Sequence, residues 1–390
     1  MEIRSNIALK VCLALILLLF GLTLFGCAGI RSSPEGISGG VVADDTLFLC
    51  PSIKQSGGGF GCTCTAPRLE GKLVAVDTSN GNRLWEVALK ASRATSGGFG
   101  CAPSAVPVAV YGSPAVAGDL VYVAGYNGRI YAVSASTRLS QDKDVNEANP
   151  EPIIGAPVVV GDRLYLGSTD GSVYALDGAS LEKEWEFATG GKVWSTPVID
   201  DDTLYIGSFD KKLYALDAGD GDKKWDFETE GTIIATPLVY DNTVYVGSFD
   251  RCLYAVDASD GSLKWKFMAD SWFWAKPVIC NSTIYAPCLD GKVYALNAES
   301  GEKVAVFDLG SPISSSPVLA GSSVVIASEG GEVYAIDTGS SQLRLLTELE
   351  ETVNAPLCAS EGVVYVYTVA RTLHALNAES GATLWNLAIK

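Results

Sequence analysis

The sequence predicts an all-β fold, an eight-bladed β-propeller of four-stranded antiparallel blades with about 40 residues per blade. The first observation is a tyrosine that recurs every forty residues from residue 151 onward. The second is an Asp or Asn three residues after each of these positions. The third is the division of each repeat into four short apolar or alternating runs. The tyrosines are Tyr174, Tyr214, Tyr254, Tyr294 and Tyr334, with His374 in the sixth copy. The residues three positions later are Asp177, Asp217, Asp257, Asn297, Asp337 and Asn377.

The repeat at residues 191–230 shows why each unit should be a meander. Its predicted strands A to D cover residues 193–199, 203–207, 212–217 and 224–227. The connections are short and rich in Asp and Gly, which favours antiparallel hairpins, because parallel strands need long crossovers. A single meander cannot bury both of its faces, so neighbouring repeats must stack as blades. No repeat shows the 3.6-residue periodicity that a helical solenoid requires.

Two further blades precede residue 151 and keep the same spacing between landmark residues. Blade two lies near residues 108–150 and blade one lies upstream of it. The landmarks are Pro114, Tyr122 and Tyr131 in blade two, and Phe48, Val74 and Trp85 in blade one. The last copy ends with a complete strand D, so we expect the ring to close without a strand borrowed from the N-terminus.

Two insertions of seventeen residues interrupt the period, and both belong to the first part of the ring. The step from Phe48 to Val74 and the step from Trp85 to Pro114 are each seventeen residues longer than in the regular copies. We place the propeller at residues 39–390, with the insertions at about 51–70 and about 90–107. The B–C and D–A connections of a meander open on one face, so the insertions should rise side by side.

Eight cysteines remain beyond Cys12 and Cys27, and an even number in an exported chain suggests disulfides. The insertions carry GGFGCTC and GGFGC, which makes a bond from Cys101 to Cys62 or Cys64 the natural inference. Cys252 and Cys288 form a second candidate pair on the same face. Free thiols, or a metal held by Cys50 with the three insertion cysteines, remain the alternatives.

The N-terminus has the pattern of a lipoprotein-type signal peptide at residues 1–26, a short basic start followed by an apolar run. The ending Leu24-Phe25-Gly26-Cys27 resembles a lipobox, which makes Cys27 the lipidated first residue, and residues 27–38 form a tether. An uncleaved N-terminal anchor is the alternative. In either case the propeller is attached to a membrane. Without residues 1–26 the chain has 26 basic and 44 acidic residues, a net charge of −18 that argues against nucleic acid as a partner.

The sequence has no clear catalytic or metal-binding constellation. Its one histidine, His374, occupies the strand C tyrosine position and is expected to be a packed residue. An Asp recurs at the B–C turn. The general preference for Asp in tight hairpin turns explains this recurrence better than calcium binding does. These residues are Asp170, Asp210, Asp250 and Asp290. We therefore expect no catalytic residue and no metal.

A group of large aromatic residues marks a candidate binding face. Trp194 and Trp274 lie two whole repeats apart at the start of strand A, with Trp272 and Phe273 adjoining the second. Strand A lines the central channel of a propeller, so these rings should lie near its mouth, on the face with the insertions. Such rings can anchor a ligand or a partner, or they can simply cover the core between blades.

The segments YALDAGDGDKKW, YAVDASDGSLKW and HALNAESGATLW resemble the repeat of the PQQ-type eight-bladed propellers, where PQQ is pyrroloquinoline quinone. The resemblance implies that a strand D tryptophan docks between neighbouring blades. Blades six and seven have Ala305 and Leu345 at this position, so their docking should be weaker. The expected docking residues are Trp85, Trp185, Trp225, Trp265 and Trp385.

The resembling family contains quinoprotein dehydrogenases and also cofactor-free proteins, notably the BamB-type lipoproteins of outer-membrane protein assembly. The chain has no adjacent cysteine pair and no matching calcium ligands, so we expect a cofactor-free, monomeric scaffold lipoprotein. Its protein partner should bind the insertion-bearing face. It should lie on the periplasmic side of the outer membrane in a Gram-negative host, and otherwise on the outer face of the cell membrane. A dehydrogenase with PQQ and calcium, or a ligand-binding sensor, is the alternative.

Overall fold

The computed structural model describes residues 38–54, 69–90 and 108–389, and these residues form eight antiparallel sheets. In seven sheets the strands follow one another in chain order, A-B-C-D. The predicted eight-bladed propeller is therefore confirmed. The described residues form no helix, so this part of the chain offers no apolar helix that could cross a bilayer.

The strands recur with nearly constant length from blade to blade. Strands A are Val41–Ala43, Ala115–Ala117, Val158–Val160, Val198–Asp200, Leu238–Tyr240, Val278–Cys280, Val318–Ala320 and Cys358–Ser360. Strands B are Thr46–Leu49, Leu120–Ala124, Arg163–Gly167, Thr203–Gly207, Thr243–Gly247, Thr283–Pro287, Ser323–Ala327 and Val363–Tyr367. Strands C are Leu69–Asp77, Arg129–Ser134, Ser172–Asp177, Lys212–Asp217, Cys252–Asp257, Lys292–Asn297, Glu332–Asp337 and Thr372–Asn377. Strands D are Arg83–Ala88, Ser140–Asp144, Lys183–Ala188, Lys223–Glu228, Leu263–Met268, Lys303–Asp308, Leu343–Glu348 and Thr383–Ala388.

Blade one has a fifth strand, Ser52–Lys54, that lengthens its B–C hairpin. This strand pairs with the first part of strand C, from Ser52 opposite Gly71 to Lys54 opposite Leu69. Strand C of this blade has nine residues, whereas the regular blades have six. The first insertion therefore begins as an extension of the hairpin beyond the edge of the blade.

Strand A is shorter than the sequence predicts. In blade four it begins at Val198 rather than Val193. The N–H of Val193 donates instead to the carbonyl of Ser168 in the preceding blade, at 3.0 Å. Pro197, directly before the strand, has no N–H to donate. The segment ahead of each strand A thus joins two blades and forms the channel wall.

The hydrophobic core consists of layers between neighbouring blades. Successive side chains of a strand point to opposite faces, so both faces of strands B and C are buried. In blade four, Tyr214 and Leu216 pack toward blade three, whereas Leu213 and Ala215 pack toward blade five. Because every central strand is covered on both sides, the blades are held by one another rather than by a common centre.

The strand D tryptophans lie at the junctions between blades. The indole N–H of Trp185 donates to the carbonyl of Ala218 in the next blade, at 3.2 Å. The ring lies against Gly221, whose φ is +81° and whose added Cβ would lie 2.7 Å from Cε3 of the ring. Glycine is required there by both its backbone conformation and the contact. The same bond recurs from Trp225 to Ala258, from Trp265 to Ala298, and from Trp385 to Thr78.

The bond from Trp385 to Thr78 closes the ring, because it joins blade eight to blade one at 2.9 Å. The added Cβ of Gly81 in blade one would lie 2.6 Å from this tryptophan ring. Each of these two blades is a complete sheet made from its own part of the chain. The ring therefore closes by side-chain docking, with no exchanged strand among the described residues.

Four junctions depart from this pattern. In blade six Ala305 takes the tryptophan position, opposite Ala295. Trp85 lies under the guanidinium of Arg138, 5.2 Å from the ring centroid, whereas each of the other four tryptophans lies against a glycine. In blade two Gln141 pairs with Ala132 and donates to the carbonyl of Ala179 in blade three, at 2.5 Å. In blade seven Leu345 is 43% exposed, because the strand C bulge is displaced and Arg344 takes the position opposite the alanine.

Candidate binding site at the channel mouth

In blades two to eight, one residue ahead of strand A faces the central channel, and together these residues line a cavity of about 480 Å³. The residues of blades two to six are apolar or aromatic, whereas those of blades seven and eight are small and polar. They are Tyr111, Ile154, Trp194, Ile234, Trp274, Ser314 and Asn354. The cavity therefore has an apolar wall on one side and a polar wall on the other.

Phe249, Trp272 and Trp274 form a stack that we call the aromatic cluster. The rings of Phe249 and Trp272 are 4.4 Å apart and inclined by 10°. Phe249 also lies 5.8 Å from Trp274, at 27°. In the neighbouring blade Phe209 contacts Trp194 edge-on at 4.7 Å. The cluster is partly exposed, so its rings are open to a ligand or a partner.

Phe273 does not belong to the exposed part of this site, and its prediction as a binding residue is corrected. Its side chain is only 1% exposed and packs with Tyr245, Leu253 and Tyr294 in the layer between blades five and six. Its two neighbours, Trp272 and Trp274, remain partly exposed. The expectation that such rings cover the core therefore holds for Phe273.

Phe209 and Phe249, which lie in B–C turns, were not predicted from the sequence to be part of this site. They lie forty residues apart, at a position that holds Thr169, Leu289 and Glu329 in other blades. The signal was therefore present in the register. It was missed because the turn was interpreted only through its recurring Asp.

Lys276 lines the same cavity two residues after Trp274. Other blades place Ala156, Thr196, Thr236 or Ser316 at this position. The pKa of Lys276 is lowered because burial disfavours its charged form. Among the described residues no carboxylate forms an ion pair with it, so the cavity contains an uncompensated ammonium group.

The cavity lining also contains one carboxyl group and buried oxygen atoms that lack partners. Burial raises the pKa of Glu329, which favours its protonated form. In the described part of the chain, the hydroxyl of Tyr111 and the side-chain oxygen of Asn354 are buried and make no hydrogen bond. Unsatisfied buried polar atoms are uncommon in folded proteins, so these groups are available to a polar ligand.

The bases of the two insertions touch. The N–H of Val110, which follows the second insertion, donates to the hydroxyl of Ser52 beside the first, at 3.1 Å. An added Cβ at Gly71 would lie 2.8 Å from the carbonyl oxygen of Val108. The insertion cysteines Cys62, Cys64 and Cys101 lie outside the described residues, as do Cys27 and the signal peptide, so their predicted roles stay predictions.

The candidate bond between Cys252 and Cys288 does not form in this structure, where both thiols are free and buried. Cys252 packs in the layer between blades four and five, whereas Cys288 packs in the layer between blades five and six. The sheet of blade five separates the two sulfur atoms. The sequence placed both residues on one face of the ring but could not show which layer each side chain enters.

The recurring Asp of the B–C turn is a structural residue. In blade four, Asp210 accepts hydrogen bonds from the hydroxyl of Tyr214 at 2.6 Å, the N–H of Lys212 at 3.0 Å and the N–H of Gly190 at 2.6 Å. The tyrosine bond recurs from Tyr174 to Asp170, from Tyr254 to Asp250 and from Tyr294 to Asp290. Among the described residues no group of three or more acidic, His or Cys side chains could hold a metal ion.

The described cavity does not fit PQQ with calcium. Calcium takes six to eight oxygen ligands, typically with several carboxylates, whereas the lining has the single carboxyl of Glu329. PQQ carries three carboxylates, whereas the lining has the single cation of Lys276. Two of those carboxylates would be left without a charged partner.

The sequence matches the profile of a family described as "Outer membrane protein assembly factor BamB" over residues 69–196, 188–283 and 289–389. No curated protein matches the sequence.

Among solved structures, BamB from Moraxella catarrhalis is similar, with a TM-score of 0.64 and 17% identity over 84% of this chain and 90% of that chain. The computationally designed Ika8 protein has a TM-score of 0.66 and 14% identity over 91% and 96% of the two chains. Sqt1 from Saccharomyces cerevisiae has a TM-score of 0.60 and 14% identity over 69% and 82%. At these identities the structural likeness shows the fold alone.

Proposed function

Because the chain belongs to the family of the outer membrane protein assembly factor BamB, we propose that it is a non-catalytic, protein-binding propeller of the cell envelope. A lipid on Cys27 holds it to the membrane through the tether at residues 27–38. In a Gram-negative host it acts on the periplasmic side of the outer membrane, in the assembly of outer-membrane proteins. It works as a monomer and needs no cofactor.

The observation that carries this proposal is the aromatic cluster at the channel mouth. Trp272 and Trp274 lie on the face where B–C turns and D–A connections meet, which is also the face of the insertions. Exposed tryptophans dominate the energetics of many protein interfaces, because a large ring becomes fully desolvated on binding. A partner segment bound there buries the stack of Phe249, Trp272 and Trp274.

The geometry of the ring supports an extended contact area. The insertion bases lie at the junction of blades one and two, and the aromatic cluster lies at the junction of blades five and six. In a closed ring of eight blades these two junctions are on opposite sides of the channel. A partner that touches both features therefore crosses the channel mouth.

The charge of the chain favours a basic or neutral partner surface. The net charge is −17, and acidic residues outnumber basic ones by 45 to 28. Opposite charge on the partner speeds association and disfavours wrong partners, whereas the aromatic anchors supply affinity. The dehydrogenase alternative receives no support from the cavity lining, which offers one carboxyl and one cation.

Co-purification from membranes tests this proposal. The full-length tagged protein should retain specific envelope proteins, and the double variant Trp272→Ala, Trp274→Ala should lose them. Tyr240→Ala is the matched control, because Tyr240 is an aromatic residue of strand A that is 40% exposed. Equal recovery by both variants would count against the mouth as the binding surface. Thermal melting of each variant shows whether the fold is kept.

A further inference from the structure

We propose that the channel mouth also binds a small organic monoanion, whose carboxylate pairs with Lys276 and whose flat apolar body lies between Trp194 and Trp274. This site goes beyond protein binding. It combines an uncompensated cation, aromatic walls and unpartnered polar atoms in one cavity of about 480 Å³.

Lys276 is the centre of the site. The architecture does not require a charge there, because the equivalent residues Thr196, Thr236 and Ser316 are neutral. A partly buried ammonium group without a counter-ion is costly, and the lowered pKa of Lys276 reflects this desolvation. A bound carboxylate supplies the missing counter-ion and favours the charged form of Lys276.

The apolar wall suits a flat molecule. Trp194 and Trp274 lie two blades apart, with Ile234 of blade five between them, and all three line the cavity. Aromatic rings bind planar apolar groups by stacking or by edge contacts. The volume is within the range of cavities that hold drug-sized ligands, about 300–1,000 Å³.

The opposite wall provides hydrogen bonds rather than charge. The hydroxyl of Tyr111 and the amide oxygen of Asn354 have no partners among the described residues. Glu329 lines the same cavity, and burial raises its pKa, which favours the protonated form that repels an anion less. These groups can bind polar atoms at the end of the ligand away from Lys276.

The number of charges limits the ligand to one carboxylate. Lys276 is the single cation of the described lining, so a dianion would leave a carboxylate unpaired beside Glu329. The net charge of −17 also repels anions at long range. Binding therefore depends on the short-range pair with Lys276.

Calorimetric titration of the full-length protein with indole-3-acetate, and with neutral indole-3-acetamide of the same shape, tests the site. The protein should bind indole-3-acetate at least about tenfold more tightly than indole-3-acetamide, because a charge-assisted hydrogen bond contributes about that factor in affinity. Lys276→Met should weaken acetate binding by about tenfold or more. Lys266→Met is the control, because it removes the same charge from an exposed position and should leave binding unchanged.

Three results would overturn the proposal. They are equal affinity for the two probes, no binding of indole-3-acetate by the wild-type protein, and undiminished binding of indole-3-acetate by Lys276→Met. The comparison of probes uses the wild-type protein, so it stays decisive even if Lys276→Met fails to fold. Because no protein partner is present in the titration, its outcome is independent of the outcome of the co-purification.

Discussion

The Nε2 atom of His374 lies 3.7 Å from a carboxylate oxygen of Glu351. In blades three to six a strand C tyrosine donates to the Asp of its own B–C turn. Blade eight has Ala370 at that turn position, and Glu351 supplies a carboxylate from the connection that precedes strand A. The histidine and the glutamate thus replace a tyrosine–aspartate pair at the same place in the repeat.

This replacement makes blade eight sensitive to acid. Burial lowers the pKa of His374 below its usual 6.5, so the folded state favours the neutral ring. His374 has a lower pKa in the folded chain than in the unfolded chain, so between these two values the unfolded chain binds more protons. The free energy of unfolding is therefore highest above about pH 6.5 and decreases as the pH falls below it. Urea unfolding at pH 7.5 and pH 5 should show a larger loss for wild type than for His374→Tyr. Equal losses would contradict this assignment, and because the chain has one histidine, no other imidazole contributes.

The contact between Gly221 and Trp185 should be sensitive to a single methyl group. Gly221→Ala forces a β-carbon to within 2.7 Å of the ring at a φ of +81°, and we expect a loss of about 3 kcal/mol in unfolding free energy. Gly321→Ala is the matched control, because Gly321 has a φ of +61° but nothing within 4 Å of the added carbon. Gly321→Ala should lower the free energy of unfolding by about 1 kcal/mol. Similar losses in chemical denaturation would show that docking adds nothing beyond backbone strain.

The Asp of the B–C turn should contribute to stability without metal. Asp210→Ala removes the acceptor of three hydrogen bonds, from Tyr214, Lys212 and Gly190, and should cost about 2–4 kcal/mol. The loss should be the same in calcium and in a chelator. Asp222→Ala, at an exposed turn position, should cost less than about 0.5 kcal/mol. A calcium-dependent melting temperature that disappears in Asp210→Ala would restore the metal interpretation.

The cysteines should divide into two classes. Alkylation of the denatured, unreduced protein should modify Cys252 and Cys288, because both thiols are free in the fold. Non-reducing peptide mapping should instead recover the Cys101 peptide joined to the peptide with Cys62 and Cys64. Free thiols at all three insertion positions would refute that bond, and a recovered bond between Cys252 and Cys288 would contradict the observed layers.

The forty-residue register predicted the blades because a repeated strand pattern admits few ways to bury both faces of each sheet. It could not predict that strand A begins at Val198, because the hydrogen bond of Val193 goes to another blade. It could not place Phe273, since the layer that a side chain enters depends on the local path of the backbone. Lys276 was missed for a different reason, because a lone lysine gives no signal until its neighbours in space are known.

Site-specific photocrosslinking tests the central claim, that a protein partner binds the channel mouth, most directly. The photoreactive residue p-benzoylphenylalanine replaces Trp272 in one full-length protein and Asp241 in another. Asp241 lies in the A–B turn on the opposite face and is exposed. Irradiation of intact cells should give a discrete adduct with an envelope protein from position 272 and none from position 241. No adduct from position 272, or the same adducts from both positions, would contradict the claim.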